Sequence, residues 1–389
     1  MNSLAGSRVD RNSAVSTRHC ERIIGLFPEL LGVGGVQEAG RQTAAALHEI
    51  ARHHGQETQF LSLNDPAGEH VLRAGALEIS FRGFGRRKVQ FIFAAVETAR
   101  NSNGVVLAAH PNLALPAVLM KKLSPRLRTV VVSHGVEVWQ PLPRVRRAAL
   151  RQADLVLAPS RYTVQKLNEM QGIPIDKIRR LPWPLSPAFL FLAEASETLQ
   201  LPIEFPPGHV ILTVGRWAAS ERYKGADDLI VAFAQLRPKF PNVHLMLVGQ
   251  GDDLVRLQTL AAEASTTDTV HFIHGLSREG LAACYARADI FALPSTGEGF
   301  GLVFLEAMAF GKPIVAAAAG GATDLVENEV NGLLVPAHNP EQLANALARL
   351  LNDEALRSAL GRRGLEKVHS QYSFKRFESE LDKTLRDLA

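Results

Sequence analysis

The sequence predicts an α/β protein made of two doubly wound halves, each an open parallel sheet covered by helices. Three observations predict it. Short apolar runs alternate with stretches of helical spacing, the pattern of βαβ units. That series occurs twice along the chain. A proline-dense stretch lies between the two series, with Pro182, Pro184, Pro187, Pro202, Pro206 and Pro207. The length of 389 residues suits two domains at about 100–200 residues each. Hydrophobic residues make up 46% and charged residues 21%, a globular balance that excludes a disordered chain or a long coiled coil.

In the first half, residues 22–27, 59–63, 105–109, 129–133 and 155–158 read as short buried strands. Each is a brief apolar run without strict alternation, as expected for a sheet covered on both faces. Helical spacing fills 37–53, 114–123 and 144–152 between them. In the second half, strands are expected at 209–214, 243–248, 269–274, 290–293, 313–317 and 332–335, with helices at 226–236, 253–264 and 302–310. The last stretch, 373–388, carries Phe374, Phe377, Leu381 and Leu385 at amphipathic helical spacing. The expected division is a disordered tail over 1–20, an N-terminal domain over 21–187, a linker over 188–207 and a C-terminal domain over 208–372.

The two cysteines, Cys20 and Cys284, exclude a disulfide framework and a four-cysteine zinc site, and they fit a reducing, cytoplasmic compartment. Residues 1–20 lack the apolar run of a signal peptide, and no apolar stretch approaches the ~20 residues that span a bilayer. The net charge of +4 hides an asymmetry. Residues 1–190 hold 25 basic and 14 acidic side chains, a balance of +11, and the remainder stands at −7. Such halves are expected to meet different partners.

Ligands of open parallel sheets bind beyond the C-terminal strand ends, so chemistry is sought in the loops after strands. The first such loop is Gly32-Val33-Gly34-Gly35-Val36. It reads either as a tight turn or as a place where backbone amides approach an anion; its spacing is not that of a G-x-G-x-x-G dinucleotide loop. The second is Ser133-His134-Gly135, where His134 is either a core or capping histidine or a group that hydrogen-bonds a ligand. The third is Val214-Gly215-Arg216, followed by Tyr223-Lys224-Gly225. Arg216 and Lys224 read as solvated surface charge or as a pair that holds a diphosphate.

The fourth runs from Glu298 through Gly299, Phe300, Gly301 and Leu302 to Glu306. A carboxylate flanked by glycine precedes a helix, and Glu306 falls among apolar neighbours within that helix. A carboxylate so placed needs hydrogen-bond donors, and vicinal ribose hydroxyls supply a matched pair.

Two glutamates separated by seven residues in this glycine setting resemble the E-x7-E motif of family 4 glycosyltransferases. The glycine loop, the His-Gly pair, the Arg and Lys-Gly pair and E-x7-E occur in that family's order. Gly320-Gly321-Ala322-Thr323-Asp324 and Asn331-Gly332-Leu333-Leu334-Val335 resemble its downstream signatures, so the likeness covers roughly residues 22–372. It implies the GT-B fold, two Rossmann-like domains facing across a cleft, with the final helix (373–389) packing back on the first domain. It also implies a hexosyltransferase that retains anomeric configuration and takes its sugar from a nucleotide-diphosphate sugar.

By the same resemblance, Arg216 and Lys224 would neutralise the donor diphosphate and Glu306 would bind the ribose. Glu298 with the amides of Gly299, Phe300, Gly301 and Leu302 would hold the transferred sugar. His134 would meet that sugar near its reacting carbon, and Gly34 and Gly35 would let the first loop close over the diphosphate. No Asp-x-Asp motif is present, since Asp227-Asp228 and Asp252-Asp253 are adjacent pairs. No metal and no cofactor are therefore expected. Two departures stand out. Arg216 and Lys224 lie further apart than is usual in the family, and Asp324 replaces a common glutamate, with either a nucleotide-side or a helix-capping role.

The positive charge of the first half is grouped as Arg82, Arg86, Arg87 and Lys88, as Lys121, Lys122, Arg126 and Arg128, and as Arg144, Arg146, Arg147 and Arg151. These are either solvated helix faces or a docking surface for an anionic membrane at its inner face, where a lipid-linked acceptor would wait. Nucleic acid is not an expected partner, because no matching module is present. The expected acceptor is a glycan or lipid-linked sugar. Two competing readings are a nucleotide-sugar epimerase of the same fold and a catalytically silent sugar-nucleotide-binding protein.

Overall fold

The computed structural model describes residues 21–75, 77–100, 102–199 and 205–388. The tail expected over 1–20 and part of the expected linker, 200–204, lie outside the described residues. The first sheet has eight strands: β1 (Glu21–Phe27), β2 (Glu57–Ser62), β3 (Gly68–Ala74), β4 (Leu77–Gly83), β5 (Asn103–Ala108), β6 (Leu127–Val132), β7 (Leu155–Ala158) and β8 (Ile178–Arg180), in the order β3-β4-β2-β1-β5-β6-β7-β8. The second has six: β9 (His209–Val214), β10 (Val243–Val248), β11 (Val270–Ile273), β12 (Ile290–Leu293), β13 (Ile314–Ala317) and β14 (Gly332–Val335), in the order β11-β10-β9-β12-β13-β14. All pairings are parallel except β3 with β4. The protein has the GT-B fold, two Rossmann-like α/β domains.

The apolar strands are explained by burial on both faces. In β1, Ile23 and Phe27 pack into one apolar cluster while Ile24 and Leu26 pack into another on the opposite face. The same alternation runs through Val105 to Ala108 in β5 and Val130 to Val132 in β6, as the two-residue period of a strand requires.

Several elements were not among those expected. The β3–β4 hairpin pairs Leu72 with Ile79 and His70 with Phe81, and only one face of β4 is buried, through Ile79, Phe81 and Gly83. Helix Lys88–Ala99 follows it, and β8 closes the far edge. The expected linker over 188–207 also differs. Residues Pro187–Glu194 form a helix, and its Phe189 packs edge-on against Tyr285 and Phe310. Proline at a first helical turn costs no hydrogen bond, so Pro187 begins a helix here rather than breaking one.

The last helix, Phe374–Arg386, packs against helix Gly35–His54 of the first half. Phe377 touches Trp183, and His54 Nε2 lies 2.9 Å from Asp382 Oδ1. Among the described residues, no helix is long and apolar enough to cross a membrane.

Candidate functional site

Strand order places the site. In the second sheet the order reverses between β9 and β12, and the crevice of an open α/β sheet lies beyond such a point. Arg216 follows β9 and Glu298 follows β12, so residues far apart in sequence meet there. Lys224 Nζ lies 2.9 Å from Glu298 Oε1, and both side chains are largely buried. Arg216 pairs with Glu221, whose second oxygen lies 3.9 Å from Lys224. Two cations and two carboxylates thus share one cradle. The Arg216 side chain keeps 72% of its surface exposed while Glu221 keeps 10%, so the guanidinium is the member free to turn toward an incoming anion. The wide spacing of Arg216 and Lys224 has its reason here. The intervening residues form a short irregular helical segment, Ala219–Lys224, that carries Glu221 inward between the two cations.

Glu298 is therefore engaged by Lys224 in this state rather than standing free for a sugar. Its neighbour Gly299 makes one of the contacts between the halves. A Cβ on Gly299 would fall 2.0 Å from the carbonyl oxygen of His134, and one on Gly135 would fall 2.2 Å from the Cα of Gly299. No side chain fits at either position. Ser160 Oγ donates to the Gly299 carbonyl at 2.7 Å. Phe300 is buried beside Tyr372. Gly301 adopts φ +96 at the start of helix Leu302–Ala309, a left-handed conformation that favours glycine.

Glu306 projects from that helix. Tyr285, fully buried, donates its hydroxyl to Glu306 Oε2 at 2.8 Å. Burial raises the Glu306 carboxyl to about 7, and Tyr285 only partly offsets this. The same burial, with Glu306 beside it, holds the Tyr285 hydroxyl well above its ordinary value. Glu306 thus has one oxygen oriented and the other available to donors.

On the facing side, His134 sits half-buried after β6. Its Nε2 donates to the Ala109 carbonyl at 2.7 Å. Gly34 caps helix Gly35–His54 at φ +144, whereas a Cβ on Gly35 would meet nothing within 4 Å. The first loop therefore borders open space at Gly35. Asp65 holds its base, accepting from the amides of Leu30 at 2.7 Å and Leu31 at 3.0 Å.

Asp324 takes the helix-capping role, on a helix of the other half: it meets the first amide of helix Arg161–Gln171. Its buried carboxylate accepts from the backbone amide of Arg161 at 2.8 Å and from its guanidinium at 3.1 Å, and Arg180 lies 3.6 Å away. It ties the second half to the first. The sequence reading missed Glu221, Tyr285, Ser160 and Arg161. Only Glu221 carried a local signal, as an acidic residue between two expected phosphate ligands.

The chain matches two family models: Glycosyltransferase Family 4 over residues 33–188 and Glycosyl transferases group 1 over residues 204–367. It is 31% identical over 279 residues to a GDP-mannose-dependent alpha-(1-6)-phosphatidylinositol monomannoside mannosyltransferase of Mycobacterium tuberculosis, covering 68% of this chain and 71% of that one. It is 39% identical over 190 residues to a D-inositol 3-phosphate glycosyltransferase of Salinispora tropica, covering 46% of this chain and 37% of that one. Among solved structures, sucrose-phosphate synthase from Thermosynechococcus elongatus superposes with a TM-score of 0.76 at 25% identity, over 95% of this chain and 99% of the other. The Anabaena HepE protein in complex with UDP superposes at 0.70 with 20% identity, over 94% and 100%. With both halves matched by family models and the fold shared end to end, this chain belongs to family 4 of the glycosyltransferases.

Proposed function

We propose that the protein transfers a hexose from a nucleotide-diphosphate sugar to a hydroxyl of a glycan or lipid-linked acceptor, with retention and without a metal ion. The observation that carries this reading is the cradle of Arg216, Lys224, Glu221 and Glu298, balanced in charge before an anion arrives. The diphosphate would draw Arg216 and Lys224 from their carboxylates. In the reaction the bond from the anomeric carbon to the phosphate oxygen breaks and a bond to the acceptor oxygen forms on the same face. The acceptor proton passes to the departing phosphate. Negative charge grows on the diphosphate, where fixed cations stabilise the transition state most. Those two cations supply the neutralisation for which a metal is otherwise used.

A thermal-shift series with GDP-mannose, UDP-glucose and ADP-glucose tests the donor class, because a ligand that binds only the native state raises its unfolding midpoint. The stabilising donor is expected to yield an α-linked product by NMR, with turnover unchanged in excess EDTA. A β-linked product, or turnover abolished by EDTA and restored by a divalent ion, would contradict retention or metal independence respectively.

The acceptor side carries a second expectation, peripheral docking to an anionic bilayer at the inner face of the membrane. The three basic groups are not equivalent. Lys121 is paired with Asp154, and Arg151 donates to the Gln171 carbonyl. Arg82, Arg86, Arg87 and Lys88 are all exposed. They adjoin Val89 and Phe93, 67% and 70% exposed on one side of helix Lys88–Ala99. A groove of about 460 Å³ between this helix and the hairpin is lined by Arg82, Arg87, Gln90 and Phe93. Cations beside exposed apolar side chains on a helix fit an interfacial segment. Vesicles containing phosphatidylglycerol are expected to sediment the protein at low salt, and Phe93→Ser with Arg87→Glu to weaken this at least tenfold (~1.4 kcal/mol). Equal sedimentation by the variant would remove this surface from the reading.

A further inference from the structure

Three flat rings lie side by side at the first half's edge of the cleft. The His134 imidazole is nearly parallel to Trp183, with centroids 5.4 Å apart and planes at 18°. It is also nearly parallel to His110, at 5.6 Å and 26°. Trp183 comes from the crossing segment after β8 and is held by Phe377 of the last helix at 5.7 Å. His110 follows β5, and its Nδ1 accepts from the Asn112 amide at 3.1 Å.

These contacts fix a chemical property of His134. The Ala109 carbonyl can only accept, so Nε2 of His134 carries a hydrogen, and in the neutral ring the lone pair belongs to Nδ1. A flip of the imidazole would put Cε1 where Nε2 stands and Cδ2 where Nδ1 stands, losing both the donor and the acceptor position. The Ala109 bond opposes the flip, and the near-parallel neighbours keep the ring in one plane. His110 brings no charge of its own, since burial, His134 and Arg146 together push it down to about 3.

We propose that Trp183 and His110 are positioning residues that hold His134 in a single orientation, with Nδ1 as the hydrogen-bond acceptor for a hydroxyl of the bound donor sugar. This rests on the reading of the cleft as the donor site. Small displacements of a group that orients a reacting sugar cost rate out of proportion to their size. The Trp183 indole supplies a broad flat wall, which a phenyl ring reproduces and an aliphatic side chain does not.

The test uses the full chain with Trp183→Leu, Trp183→Phe, His134→Ala and the double variant Trp183→Leu/His134→Ala. Turnover is measured with GDP-mannose and UDP-glucose, and affinity with GDP and UDP by calorimetry. Trp183→Leu is expected to lower kcat roughly 10- to 100-fold while nucleotide affinity stays within about twofold. Trp183→Phe is expected to recover most of the loss. In the His134→Ala background Trp183→Leu should add nothing, because residues acting through one group are not additive.

Additive losses in the double variant, or a parallel loss of nucleotide affinity, would overturn the proposal. If Trp183→Leu does not fold, His110→Asn tests the same clamp from the other ring, with the same expectations. A loss in His134→Ala with full turnover in Trp183→Leu overturns the clamp alone. Full turnover in His134→Ala overturns the reading of His134 and the clamp with it.

Discussion

Lys224→Met is expected to lower kcat/KM for sugar transfer by about 10²–10³-fold, or ~3–4 kcal/mol of transition-state stabilisation. The loss should fall mainly on kcat, because the charge that Lys224 meets grows as the diphosphate departs. A complication is built into the cradle. Lys224 also neutralises Glu298 and faces Glu221. Glu221 keeps Arg216, but removing Lys224 leaves the enclosed Glu298 carboxylate without its cation, which destabilises a fold by several kcal/mol. Lys224→Met/Glu298→Gln removes the charge imbalance at that pair. It should regain much of the unfolding midpoint lost in Lys224→Met and regain none of the rate. If rate returned along with stability, Lys224 would have a structural role only. Arg216→Ala is the complementary case. Its side chain is exposed and Glu221 keeps Lys224 at 3.9 Å, so the rate should fall with a smaller loss of unfolding midpoint than in Lys224→Met.

How far the sequence could be read depends on what kind of physics each residue obeys. The strands of both halves were legible because a sheet buried on two faces demands apolar runs, and β7, β9, β10, β12 and β14 fall on the expected residues. The hairpin was not, because β3 and β4 bury one face only and carry Glu69, Arg73, Glu78 and Arg82 on exposed positions. The proline-dense stretch concealed helix Pro187–Glu194, since a proline that opens a helix has the same letter as one that ends it.

The motifs single out Arg216, Lys224, Glu298, Glu306 and His134 as candidates. They do not single out the partners. Tyr285 looks like any core aromatic, and its hydroxyl matters only because helix Arg278–Arg287 lays it 2.8 Å from Glu306. Trp183 and Arg161 act across the fold, over sequence separations no local pattern encodes. Asp324 shows the limit most plainly. The motif left a nucleotide-side role or a helix cap open; the structure shows a cap, but on helix Arg161–Gln171 of the other half, where Asp324 also meets Arg180.

Donor affinity is expected to rise with pH between about pH 6 and about pH 8, through Glu306. Its carboxyl is raised from 4.5 to about 7 by burial in the donor-free protein. Below that value the protonated form prevails, and one of its oxygens is then a donor rather than an acceptor. Ribose hydroxyls need acceptors, so the carboxylate is the binding form. With half-ionisation near 7, roughly a tenth of the molecules carry the carboxylate at about pH 6 and roughly nine tenths at about pH 8, which corresponds to a ~tenfold change in apparent affinity.

Stability moves the opposite way. A carboxyl whose folded value exceeds its unfolded one contributes stability that is present below 4.5 and lost as pH rises through about 7. Donor binding is expected to offset that loss by supplying hydrogen bonds to the charged form. Glu306→Gln separates the effects. An amide oxygen still accepts but does not titrate, so the pH dependence of donor affinity should flatten and affinity at about pH 8 should fall. Tyr285→Phe should weaken the donor at every pH and push the Glu306 midpoint higher, because it takes away a hydrogen bond that favours the carboxylate. Calorimetric titration with the donor at several pH values reads all three. A Glu306→Gln profile as steep as that of the unaltered protein would assign the titration to another group and remove Glu306 from the ribose.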